Sequence, residues 1–308
     1  MSTVSENVPL ATEASPVRVQ TPLARFVSDF CENRVAVVAF ATLIAIVFIA
    51  LFAPWLSPQD PYDLAQVTIM DARLPPGEES FEGMKFWLGT DGAGRDMLSA
   101  IFYGLRISLG VGVTSGVIAL AIGMAIGLAA AYFGGRVDTL IMRVVDLQLS
   151  FPAILVALVL ISILGKGVDK VIIALVTVQW AYYARTVRAT ALVERQKEYV
   201  EAARCLALSH SRIVFRHLLP NCLAPLIVVG TLQTAHAISL EATLSFLGVG
   251  LPQTEPSLGL LISNGFEYML SGKYWISMFP GVALLVTIVA INLVGDQLRD
   301  VLNPRLER

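Results

Sequence analysis

VAVVAFATLIAIVFIALFAPWL, residues 35–56, holds no Asp, Glu, Lys or Arg. A helix needs about 20 apolar residues to cross the hydrocarbon core of a bilayer, so this run is long enough to span one. It is not isolated. The chain has 308 residues, 56% hydrophobic and only 15% charged, whereas soluble domains average about 25% charged. Its mean hydropathy is +0.70. That composition excludes intrinsic disorder and weighs against a soluble α/β enzyme. A net charge of −2 gives no basic excess for nucleic acid. Cys31, Cys205 and Cys222 are too few for a disulfide framework and lack metal-ligand spacing. The expected fold class is all-α integral membrane.

Five further uncharged runs extend the pattern: 107–135, 147–165 (with Pro152 inside it), 171–184, 217–240 and 274–295. Together they predict six transmembrane helices. The run 171–184 is short and spans only if Lys170 and Arg185 snorkel to the interfaces. With a cytoplasmic N-terminus, 15 of the 22 Lys and Arg residues fall in inside segments, among them seven between Arg185 and Arg216. Positive charge favours the cytoplasmic side, so both termini are expected inside. All three cysteines then lie on or near that side, where thiols stay reduced. The first 34 residues are polar, and the first span reads as a permanent anchor rather than a cleaved signal.

This divides the chain into a cytoplasmic segment 1–34, an anchor helix 35–56, an external loop 57–103, a transport domain 104–298 and a cytoplasmic tail 299–308. The external loop contains PQDPYD, LPPG and LGTDGAGRD, whose Pro and Gly oppose a continuous helix. A cytoplasmic loop, 185–220, is charged, rich in helix formers and unbroken by Gly or Pro until Pro220. Two short helices at the membrane surface are expected there. The chain has no G-x-x-x-x-G-K-[ST], H-E-x-x-H or G-x-S-x-G motif. If it moves solute uphill, it borrows energy from a partner or uses an ion gradient.

The segment EYVEAARCLALSHSRIVFRHLLPN, 198–221, resembles the cytoplasmic loop of permease subunits of ABC-type importers. Glu201, Ala202 and Ala203 stand at the family's Glu-Ala-Ala. Ala207 stands where the family has glycine, followed by Ile213, His217, Leu219 and Pro220. The resemblance implies a coupling helix that docks into a cleft on an ATPase subunit. Small side chains suit that role, because a partner can approach the backbone closely, and Glu201 adds a directional charge. Alanine resists the positive φ that glycine permits, so a tighter or more helical turn is expected at Ala207.

LGTDGAGRD (88–96), GLRISL (104–109), MRVVD (142–146), EATLSFLG (241–248) and GDQLRD (295–300) extend the likeness over about 20–306. The chain is most similar to the second, C-type permease subunit of dipeptide and oligopeptide importers. This implies a type I importer fold in a bacterial inner membrane, multi-pass. It also implies a second homologous permease, two ATP-binding subunits and an extracytoplasmic solute-binding protein. ATP and Mg would be held by the ATPase subunits, leaving this chain with no cofactor, metal or catalytic residue. A nickel or other small-solute importer is the alternative within the class. A proton-coupled secondary transporter with Asp146, His236 and Glu241 as relay is the alternative outside it; such carriers usually show paired repeats, and none is visible here.

Ionisable residues inside the apolar runs are the candidate pathway or gate groups. Arg143 and Asp146, three apart on one helical face, fit an interfacial ion pair better than a pathway lining. Glu241 and His236 fit ligand contact, helix capping or gate packing. Gly112/Gly116 and Gly123/Gly127 suit close helix packing.

Overall fold

The computed structural model describes residues 21–302 apart from 64, 81, 82, 253 and 256. Most of the expected N-terminal segment, and the tail from 303, lie outside the described residues. Thr21 starts helix α1 (Pro22–Glu32), its hydroxyl accepting from the Ala24 amide. Asn33 then caps α2 (Arg34–Leu56), accepting from the amides of Val35 and Ala36 at 3.0 and 3.4 Å. Its Nδ2 donates to Gln297 Oε1 at 2.8 Å, so one cap also ties the first long helix to the last. The further helices are α3 (Met97–Phe133), α4 (Gly135–Ser150), α5 (Ala153–Leu164), α6 (Val168–Arg195), α7 (Glu198–Cys205), α8 (His210–Ile213), α9 (Leu219–Phe246), α10 (Leu258–Phe266) and α11 (Trp275–Val301). Among the described residues the only extended pairing is two isolated bridges, Glu79 with Lys85 and Thr90 with Asp96. The all-α expectation holds.

Four helices are long and apolar enough to cross a membrane: α2, α3, α11 and the rod His210–Phe246, in which a π-turn (Val214–Leu218) joins α8 to α9. Three expectations change. The run 147–165 is not one helix. Pro152 lacks an amide hydrogen and drives Phe151 out of helical geometry, so α4 and α5 meet at 89°. The run 171–184 is the middle of the 28-residue α6, about 42 Å long at 1.5 Å per residue, with charges at both ends. Finally, nothing in 185–195 stops the helix, so the loop expected over 185–220 shrinks to the stretch between α6 and α8. Helix α3 starts at Met97, where Asp96 caps it by accepting from Ser99 N–H at 2.8 Å.

Helices α3, α6 and α9 form the centre. A Cβ on Gly123 or Gly127 would sit 2.5 Å from the carbonyl oxygens of Trp180 and Ala184 on α6, and one on Gly112 would sit 2.5 Å from Ile238 on α9. Only glycine allows these backbones so close, and close approach maximises van der Waals contact where lipid offers no hydrophobic drive. Tyr183, Val187, Leu226 and Ile238 fill the remaining space, all fully buried or nearly so.

Candidate coupling surface and intramembrane polar groups

Helix α7 is short and two-faced. Glu198 and Glu201 occupy its first turn, where the helix dipole favours negative charge. Val200 and Ala203, three apart, point inward and join a cluster with Val187, Ala191, Leu128 and Ile213. Glu201, Ala202 and Cys205 face outward, followed by Leu206, which is 75% exposed. The candidate contact triplet is therefore split. Glu201 and Ala202 are available to a partner, while Ala203 anchors α7 to its own protein. Ile213 is buried with it, His217 and Leu219 are half-buried, and Pro220 is exposed.

Ala207 takes φ +53°, the left-handed conformation that glycine would supply. The expected shift to a more helical turn does not occur. Burial of Ala203 before it and Ile213 after it fixes both flanks, and the residue between accepts strain of about 1–2 kcal/mol.

Behind α7 lies a polar network that sequence reading missed. Glu194, only 8% exposed, accepts from Lys197 Nζ at 2.7 Å and from the Tyr199 hydroxyl at 2.6 Å. Asn221 Nδ2 donates to Tyr199 at 3.1 Å and to the His217 carbonyl at 2.7 Å. Burial and the Glu194 carboxylate push the Tyr199 phenol up to about 12. The network binds the end of α6, the start of α7 and the start of α9 into one unit. Tyr132 on α3 also hydrogen-bonds His210. Only the outward Leu206 had a sequence signal, four residues after Ala202 and so on the same helical face.

Asp146 pairs with Arg185 on α6 at 2.5 Å, not with Arg143. The three-residue spacing put Arg143 on the right face, but α6 passes closer. Beside this pair, Arg188 makes a two-pronged bond to Asp138 at 2.5 and 2.6 Å. Glu241 is fully buried and accepts from Ser108 on α3 at 2.9 Å and from Ser245 at 2.7 Å. The Leu258 amide at the start of α10 donates to the same Ser108 hydroxyl. Glu241 thus fastens three helices together. His236 is exposed; five residues earlier, it lies about 140° away around α9. Asp146, His236 and Glu241 are not brought together, so the proton relay has no geometry behind it.

The described residues form a helical bundle with four helices long and apolar enough to cross a membrane, the form of a membrane permease. The profile of the binding-protein-dependent transport system inner membrane component matches residues 119–308. The profile of the N-terminal TM domain of oligopeptide transport permease C matches residues 21–76. The chain belongs to the binding-protein-dependent transport permease family. It is 42% identical to the dipeptide transport system permease protein DppC of Escherichia coli (strain K12) over 100% of both chains. It is 38% identical to the di/tripeptide transport system permease protein DppC of Pseudomonas aeruginosa (strain UCBPP-PA14) over 93% of each. An inward-facing structure of the MetNI methionine ABC transporter aligns with TM-score 0.56 at 21% identity, covering 67% of this chain and 98% of that one. The last match is a likeness of fold.

Proposed function

We propose that this chain is a permease subunit of an ATP-driven importer that takes up di- or oligopeptides. It would form half of the pathway beside a second homologous permease, in a bacterial inner membrane, with two ATPase subunits and an extracytoplasmic binding protein. Full-length identity of 42% to a dipeptide permease is the observation that carries this reading. In it, α6 is the remaining crossing, the bent α4–α5 pair forms another, and both termini are cytoplasmic.

The outward face of α7 supports a coupling role. A partner seated on Glu201, Ala202 and Leu206 would push on a helix whose inner face is locked to α6 and α9 through Val200, Ala203 and the Glu194–Tyr199 network. Because glycines bring α3 hard against both helices, the displacement would pass to all three as one body. The chain would neither bind nor hydrolyse ATP itself.

The test is reconstitution of the complete complex in liposomes with labelled dipeptide outside. Accumulation should require ATP, binding protein and all subunits. Uptake that continues without ATPase subunits and collapses with a protonophore would refute the reading.

A further inference from the structure

The sequence motif GLRISL places Arg106 near the start of α3. That arginine lines a cleft of about 710 Å³ between the N-terminal half of α3, the start of α6 and two loops. Such a volume lies within the range of about 300–1,000 Å³ typical of small-molecule sites. Glu255, from the loop before α10, lines the same cleft. Among the described residues neither Arg106 nor Glu255 has an ion-pair partner, and they do not pair with each other.

The walls are equally specific. Tyr62 and Tyr103 meet edge to face with ring centres 5.2 Å apart. Partial burial and the nearby Glu255 carboxylate push the Tyr62 phenol up to about 12, with Arg106 acting in the opposite sense. Both charges therefore act on one tyrosine. Thr114 adds a hydroxyl further along α3, and a Cβ on Gly110 would meet no heavy atom within 4 Å. Gly110 leaves the middle of the cleft open where any larger residue would fill it.

A cation and an anion that line one aromatic-walled cleft without pairing match a ligand carrying both charges on a short backbone. We propose that this cleft is a permease-borne binding site for short peptides with free termini, Arg106 taking the carboxylate and Glu255 the ammonium. Arginine suits the first task because its planar fork binds carboxylate through two parallel hydrogen bonds. The tyrosine faces accept side chains of varied shape, and the ammonium gains further from facing an aromatic ring. The site deepens the peptide-importer reading and rests on it.

The experiment uses the complex of this chain with its partner permease and ATPase subunits in nanodiscs, without binding protein. Equilibrium binding is measured for dialanine, its C-terminal amide and its N-acetyl derivative. Dialanine should bind saturably. Arg106→Gln should weaken dialanine about tenfold, the scale of one charge-assisted contact, while leaving the amide unchanged. Glu255→Gln should do the same with the N-acetyl derivative as the indifferent ligand. Gly110→Phe should abolish binding of all three in an intact complex. Wild-type liposomes that import dialanine while the nanodisc complex shows no saturable binding would overturn the site and leave the importer reading standing. Equal losses for free and blocked peptides, or loss of a subunit from the Arg106→Gln complex, would also overturn it. Failure of wild-type liposomes to import any peptide would sink the importer reading, and the site with it.

Discussion

The two ends of the helical bundle solve the problem of polar groups in opposite ways. At the α10 end they are buried and hydrogen-bonded. Thr90, fully buried, donates to the Asp71 carbonyl and accepts from Leu74 N–H at 2.8 Å, while Trp275 donates to its carbonyl at 3.2 Å. Asp96, Ser99, Glu241 and Ser257 are likewise out of solvent. Toward the α7 end some polar groups pair by charge and stay partly exposed, as Arg185 does with Asp146. Buried hydrogen bonds are directional and costly to leave unmade, so they fix one geometry. Exposed ion pairs are each worth little, and water replaces them when they part. The α10 end is thus held by buried directional bonds, and the α4–α6 contact by partly exposed ion pairs.

Substitutions can break or sharpen that contrast. The largest effect should come from Glu241→Ala, which strips the acceptor from Ser108 and Ser245 in a dry site. A loss of about 3 kcal/mol or more is expected, read as a lowered unfolding midpoint in nanodiscs. Glu241→Gln keeps an acceptor and should lose well under half of that. A loss below 1 kcal/mol for Glu241→Ala would show that the buried knot is not what holds this end.

Next comes a matched pair on α7. Ala203→Trp overpacks the inner face and should destabilise the chain by about 1–3 kcal/mol. Ala202→Trp should leave the unfolding midpoint unchanged yet abolish co-purification with the ATPase subunits. Reversal of the two outcomes would mean that α7 presents its other face to the partner.

The two ion pairs linking α4 to α6 allow a finer comparison. Asp138 and Arg188 are only 17% and 31% exposed at their side chains, whereas Arg185 and Asp146 are each about half exposed. Arg188→Ala should therefore cost about 1–2 kcal/mol, and Arg185→Ala no more than about 1. Urea unfolding of both variants gives the ranking, and equal losses would remove the burial argument. The smallest effect belongs to Ala207→Gly. It relieves a left-handed alanine but loosens the unfolded chain, and a net gain of up to about 1 kcal/mol is expected. A net loss would mean that Ala207 makes contacts worth more than its strain.

How much was legible in the sequence differs by residue. Gly123 and Gly127 announced a close helix contact by spacing alone, though not that α6 is the helix they meet. Ala207 was visible as a departure from the family's glycine, but its conformation was misjudged because buried neighbours on both sides, not its own preference, set its φ. Arg143 looked like the partner of Asp146 because spacing reports only contacts within one helix. The Glu194–Tyr199–Asn221 network joins three elements and had no pattern to reveal it. Ala203 read like its neighbour Ala202, and only the packing of Val200 against α6 showed that they face opposite ways.

Composition and apolar run length determined that this is a helical membrane protein, because burying backbone in lipid leaves few other structures available. Local motifs pointed to its family, since each is a short stretch readable without the fold. What only the tertiary structure decided is which charges meet, where α6 ends, how sharply Pro152 bends the chain and which face of α7 is free. Each of those depends on contacts between residues far apart in sequence, whose energies no local pattern encodes.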